Sequence, residues 1–504
     1  MTALLARLDD TSDWLSPIVV KEVRQMVRSR EFVFAFATSL LAALAVAFYG
    51  AVTAVGRSGT TGAGTFAALM VCLTVLGLLV VPVSAFSALR NERLEQTLDL
   101  VTVTALSPRR VVIGKLVAQA VKLTTLFAAM SPFLAMSFLL GGIDFVTILL
   151  SLGVLFVWSI WAAAVSLFLS TVFKSRAMSG VLFGVVALAG FFLLSVSRVP
   201  FLLMRSGSVF GPAGRSSFWW ALAMVMSGCI AVTCNLILLA ENRLAVPTEN
   251  RVTPVRLGFL AQFLLIVGWT LTYLGEAPAV QQAAVRAFGV TAGLHLALVA
   301  MFTVTEDLLV PRRVLLEMRR TTRWGWLLSV CRPGGGRGAA YLLIQMAVLM
   351  TVAWLLKPAT ATLYWLAALC GYVCFFAAVP SFAWRLVRPD GDHSLRLRAA
   401  VLLLLMAALI LPDLVYYLLR QPERFDVAFG MRHLVNPFRT LANWHLVDSS
   451  GWEILPTSFG MLGVLSCLGL AYQGARVTDR QQAELAPGSS EAIREEDPRV
   501  DGVY

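Results

Sequence analysis

The chain has 504 residues, of which 58% are hydrophobic and only 14% charged, with a formal net charge of +12. Soluble domains carry about 25% charged residues, so a water-soluble globular enzyme is excluded and an all-α polytopic membrane protein is expected. The positive charge reads as Arg-rich cytoplasmic loops lying against an anionic lipid bilayer, with no nucleic acid as partner.

The first residues, MTALLARLDDTSDWLSP, are short on apolar length and carry three aspartates before residue 14. They do not fit a secretory signal. The next stretch, SPIVVKEVRQMVRSREF, opens with Ser16 and Pro17, an N-cap followed by a first helical residue. Val19, Val23, Met26 and Val27 recur at helical spacing, with Lys21, Arg24, Gln25 and Arg28 opposite them. This predicts a short amphipathic helix with a basic face, lying in the membrane interface within a cytoplasmic segment 1–31. The alternative is an extension of the first span.

A spanning helix needs about 20 mostly apolar residues. Twelve stretches qualify: 32–55, 65–89, 111–140, 145–172, 178–197, 218–240, 257–274, 288–305, 340–357, 361–384, 399–419 and 453–473. Pro132 is a natural kink site in the third. With the N-terminus in the cytoplasm, the inside segments are 1–31, 90–115, 173–177, 241–256, 306–339, 385–398 and 474–504. They hold 30 of the Lys and Arg residues against 10 in the outer loops, and Lys122 lies within the third span. This asymmetry places both termini in the cytoplasm and favours an even number of spans.

The cytoplasmic loop between the second and third spans reads NERLEQTLDLVTVTALSPRRVVIGK. Leu94, Leu98 and Val101 share one helical face, and Glu92, Glu95 and Asp99 another, with the acids early, where the helix dipole favours them. The β-branched Thr102, Val103 and Thr104 weaken that helix. Ser107 and Pro108 start a new one, and Arg109, Arg110 and Lys115 are expected at headgroup level as it enters the bilayer.

Together these two stretches resemble the permease subunit of ABC-2-type transporters, the type-2 ABC exporter fold. The first is similar to the family pattern NP-x-x-x-KE-x-RQ-x-x-RSR at Pro17, Lys21, Glu22, Arg24, Gln25, Arg28, Ser29 and Arg30. The second is similar to E-x-x-x-GTL-x-x-L-x-x-TPLS-x-x-x-I-x-x-GK at Glu92, Thr97, Leu98, Thr104, Leu106, Ser107, Ile113, Gly114 and Lys115. Gln96 stands where the family has Gly, and Ala105 where it has Pro, which loosens the turn chemistry.

The resemblance covers roughly residues 15–240. It implies a six-span permease unit over 32–240, with 1–31 holding the connecting helix (Pro17, Lys21, Glu22, Arg24, Arg28). It also implies a coupling loop, 90–115, that contacts a partner ATPase through Glu92, Glu95, Thr97, Leu98, Ser107 and Pro108. Gly114 and Lys115 would mark the membrane entry. The implied function is export of a substrate across the cytoplasmic membrane, powered by a separate ABC ATPase subunit. A non-transporting scaffold or assembly factor with the same fold is the alternative. A secondary transporter would need carboxylates at mid-membrane, and the spans hold almost none.

No ATPase motif is present. The one glycine-rich basic stretch, RPGGGRG at 332–338, lacks the Gly-Lys-Ser/Thr ending of a P-loop and reads as a flexible loop. Four scattered histidines supply no catalytic cluster, and no enzymatic activity of the chain itself is expected. Seven cysteines without a CxxC argue against a disulfide framework or a zinc site, and Cys370 and Cys374 read as small-residue packing. No cofactor is expected.

After a cytoplasmic linker at 241–256, residues 257–473 are expected to form a second six-span bundle. The long basic loop between TVTED and RPGGGRG parallels the loop at 90–115. Either this half is a diverged copy of the first, so that one chain supplies both halves of a pore, or it is an accessory bundle and the chain forms a homodimer or pairs with another permease subunit. His295 is expected as a hydrogen-bonded core histidine, Lys122 as structural, and Asp413 as a solvated carboxylate beside Pro412. The outer loop 420–450 is expected to fold as a cap or an interfacial segment rather than to bind metal through His433 and His445, and 200–217 as a small re-entrant element. The tail 474–504 is expected to be disordered.

Overall fold

Each expected span that falls on described residues is a helix. The computed structural model describes residues 17–54, 61–94, 108–141, 143–172, 216–245, 249–319, 330–387, 394–420, 429–452 and 454–484. Among these there is no strand, and eleven helices are long and apolar enough to cross a membrane. The protein is an all-α, multi-pass membrane protein. The expected span at 178–197, the loop residues 95–107, the tail from 485 and the expected re-entrant element 200–217, except Ser216 and Ser217, which begin the helix that follows, lie outside the described residues.

The chain divides into two compact units, residues 1–245 and 246–504. In the first, α1 (Pro17–Val27) is followed by α2 (Arg30–Ala54), α3 (Thr61–Val75) and α4 (Val81–Leu94), then α5 (Pro108–Leu139), α6 (Phe145–Val172) and α7 (Ser216–Leu244). Ser29 separates α1 from α2: its hydroxyl accepts from the Phe32 N–H at 3.2 Å, an N-cap that starts a new helix. The amphipathic segment is therefore a helix in its own right.

Between α3 and α4 the second span widens into a π-helix at Leu76–Val80, where the Val81 N–H bonds to Leu76 O. Pro82 follows at once and cannot donate, so a displaced ladder avoids the clash of its ring with the previous turn. Gly77 sits in this segment against Ser159 of α6. Span three runs as one helix through Pro132. Its buried Leu123, Leu126, Met130 and Leu134 join Leu69, Leu73, Leu89 and Leu167 in the core of the unit.

The second unit holds α8 (Val252–Leu271), α9 (Pro278–Thr303), the short α10 (Arg312–Arg319), α11 (Gly335–Leu355), α12 (Thr360–Val387) and α13 (Ser394–Arg420). A 3₁₀ turn (Met431–Val435), α14 (Pro437–Ala442), α15 (Trp444–Ser449) and α16 (Ile454–Glu484) complete it. Helices α12 and α16 cross closely because glycine faces glycine: a Cβ on Gly371 would lie 2.7 Å from the Gly460 Cα. Small residues permit such approach between spans.

The two units share an order of neighbours. In the first, span one packs on two and three, two on three and four, three on four, and α7 on both α5 and α6. In the second, α8 packs on α9 and α11, α9 on α11 and α12, α11 on α12, and α16 on both α11 and α12.

Three expectations are corrected. The run RPGGGRG is not a flexible loop: α11 begins at Gly335, and Gly336 and Gly338 are buried against Leu470–Gly474 and Thr303. The segment 241–256 is not a linker throughout, because α7 runs to Leu244 and α8 starts at Val252. The tail does not begin at 474: α16 continues to Glu484, and the Gln481 amide both accepts from the Val310 N–H (3.2 Å) and donates to its C=O (3.4 Å).

Candidate functional site

Helix α1 packs along the start of α5. Val19 is buried, while Lys21, Arg24, Gln25 and Arg28 face outward, as its amphipathic pattern requires. Val27, expected on the apolar face, is exposed. Glu22 turns inward. Its Oε1 lies 3.0 Å from Lys115 Nζ, and Glu92 Oε1 lies 2.9 Å from the same nitrogen. Lys21 stands 4.0 Å from Glu92.

Four charges of balanced sign thus join α1, the end of span two and the start of span three. The Lys115 side chain is only 2% exposed. It therefore does not reach for headgroups as expected, because two carboxylates meet it inside the fold. A buried ammonium needs such partners, since desolvation costs more than an unpaired group recovers. One turn further along, Gln119 accepts from the Ser84 hydroxyl at 2.9 Å and continues the polar seam between α5 and α4.

Gly114 is buried beside Lys115, while Pro108 is half-buried and Arg109 and Arg110 are exposed where α5 begins. Residues Pro17, Lys21, Glu22 and Arg24 lie on α1, and Arg28 is in the turn just past its end. Glu95, Thr97, Leu98 and Ser107 fall outside the described residues. The structure thus brings together Glu22, Glu92 and Lys115, and through Glu92 also Lys21. That meeting is not visible in either sequence stretch alone. Lys122, two turns deeper, is buried against the same bundle, with Glu31 of α2 as the negative charge that bears on it.

The second unit has its own charged corner, which the sequence did not single out. Arg256 of α8 is fully buried. It donates to the carbonyls of Val330 (2.9 Å), Arg332 (2.6 Å) and Gly334 (3.0 Å), and pairs with Glu306 at 2.5 Å. Glu306 also accepts from the Gly334 N–H, and Arg385 of α12 donates to the Val304 and Glu306 carbonyls. Burial pushes the Cys331 thiol above its ordinary range, against the opposite pull of Arg256. The corner ties the end of α9 to the start of α11, as the joint of the first unit ties the end of α4 to the start of α5.

At the other end of the second unit the described part of the outer loop, 429–452, folds into a compact cap. His433 is buried and stacks on Phe429, Asp413 Oδ1 lies 2.9 Å from its Nε2, and Arg439 donates to the same oxygen at 3.0 Å. Asp413 is therefore held between two partners rather than merely solvated. Asn436 caps α14 through the Phe438 and Arg439 N–H groups, and Tyr372 donates to the Leu434 carbonyl. His295, within the bundle, is held by Phe259 and Phe263. Gln345 approaches it, but no hydrogen bond of ordinary geometry closes at either ring nitrogen, contrary to expectation.

No family model, curated protein or solved structure matches the chain.

Proposed function

We propose that the chain is the membrane-spanning permease subunit of an ABC-2-type transporter, exporting a substrate across the cytoplasmic membrane with a separate ATPase subunit. The reading rests on the resemblance of residues 17–30 and 92–115 to that family, and one observation supports it most. Lys115 fastens α1, the end of span two and the start of span three into a single joint around the loop that would meet the ATPase. A push on residues 95–107 would act on all three elements together, since a buried ion cluster resists being pulled apart. The shared order of neighbours in the two units supports reading the second as a diverged copy of the first.

The test is purification of the full chain with the products of its neighbouring reading frames. Co-purification of an ATPase whose turnover rises with the chain present, and falls back in Glu92→Lys, is the expected result. A chain that neither binds nor stimulates any ATPase would favour the alternative, a non-transporting scaffold or assembly factor with this fold.

A further inference from the structure

Three sulfur atoms from three different helices meet in the middle of the second unit. Cys374 Sγ of α12 lies 3.3 Å from Met346 Sδ of α11 and 4.0 Å from Cys467 Sγ of α16. Cys374 and Cys467 are fully buried and Met346 nearly so. All three sit near the midpoints of their helices. All seven described cysteines carry free thiols, so this is not a disulfide.

Among the described residues no three of His, Cys, Asp and Glu converge as a metal site would require. Here methionine supplies the third donor. We propose that Cys374, Cys467 and Met346 form an intramembrane site for a soft monovalent cation of the copper(I) or silver(I) class.

Thiolate and thioether donors select soft ions, whereas calcium, magnesium and manganese require oxygen. Sulfurs held about 2.3 Å from a metal in a trigonal plane stand about 4 Å apart, which is the Cys374–Cys467 separation. Met346 stands closer and needs a small outward shift, for which its three rotatable bonds suffice. Binding forms the metal–sulfur bonds and releases the Cys374 and Cys467 thiol protons to water, because a cysteine binds metal as its thiolate. Cys370, one turn from Cys374 on the same helix and buried, is a further sulfur on this face. Small residues at a tight crossing account for Cys374 and Cys467 beside Gly463, and the Cys374 thiol, by donating to Met346 Sδ, holds the methionine sulfur where a third ligand is needed. The inference does not depend on the permease reading.

The experiment is anaerobic titration of the full detergent-purified chain with copper(I) supplied from a chromophoric chelator. The background carries Cys72→Ser, Cys229→Ser, Cys234→Ser and Cys331→Ser. One copper(I) per chain, ligated only by sulfur in X-ray absorption, is expected. It should be lost in Cys374→Ser and weakened in Met346→Leu. Cys467→Ala keeps a small apolar side chain at the crossing and guards against a folding defect. A monodisperse Cys467→Ala protein that still takes up copper(I) like its parent would overturn the site. So would a parent that fails to compete with the chelator, or one isolated with Cys374 and Cys467 joined as a disulfide.

Discussion

Lys115 and Glu22 are 93 residues apart in the chain, yet their side chains meet at 3.0 Å with the lysine almost fully buried. Glu92 closes the other side of the same ammonium. Removing one partner of a buried pair strands the remaining charge, at about 3–5 kcal/mol. Lys115→Ala strands two carboxylates and is expected to lower thermal stability by that order. The triple replacement Lys115→Met, Glu22→Gln, Glu92→Gln removes all three charges and should recover most of the loss. Thermal unfolding of detergent-solubilised protein reads both, and a triple variant no more stable than Lys115→Ala would count against the joint.

Much of this joint was legible in the sequence, but its centre was not. The amphipathic pattern around Val19 and the Ser-Pro start at 107–108 show where helices lie. They do not show that Glu22 turns inward, because a helical wheel gives faces and not partners. Lys115 at the mouth of a span reads by default as a headgroup anchor, and only two acids from distant segments reverse that. The glycine run failed for a related reason. Local sequence cannot distinguish a glycine that bends a loop from one that admits a neighbour's backbone. Thr303 O and the Gly474 Cα, which decide the matter, come from other helices. The sulfur cluster needed three helices at once.

The glycines of α11 can be separated from others by size alone. A Cβ on Gly338 would lie 2.0 Å from the Thr303 carbonyl oxygen, and one on Gly336 would lie 2.6 Å from the Gly474 Cα. Backbone cannot rotate away, so Gly338→Ala is expected to destabilise by about 1–3 kcal/mol. Gly153 of α6 and Gly268 of α8 have nothing within 4 Å. There alanine should be neutral or stabilise by about 0.5–1 kcal/mol through helix propensity. Thermal shifts of the three single variants measure this, and equal shifts would contradict the packing.

Cys331 lies beside the Arg256 corner, buried, with its thiol pushed above the ordinary value of 9.0 by desolvation. Only the thiolate is alkylated, so a raised pKa means little reactive form at neutral pH. The expected alkylation rate is slow at pH 7 and climbs about tenfold per pH unit while the thiol stays mostly protonated. The climb should continue past pH 9 in the folded chain and level off earlier after denaturation. Peptide mass spectrometry of Cys331 against time and pH follows it. A folded rate that levels off at the same pH as the denatured chain would show that burial does not raise the thiol.

The cap of the second unit makes a prediction about order of effect. The Gly430 N–H donates to His433 Nδ1 at 3.0 Å, so the neutral ring carries its hydrogen on Nε2. That hydrogen points to Asp413 Oδ1, which Arg439 also reaches. The 2.9 Å approach of Arg439 to Nε2 is then a meeting of two donors at one shared carboxylate rather than a bond between them. Asp413→Ala leaves the buried His433 N–H without its acceptor, at about 1–3 kcal/mol. Arg439 has 40% of its side chain exposed, so its half of the interaction is screened by water, and Arg439→Ala should cost about 0–1 kcal/mol. Limited proteolysis across 429–452 should accordingly accelerate more in Asp413→Ala than in Arg439→Ala. The reverse order would mean that the arginine, and not the histidine, holds the cap in place.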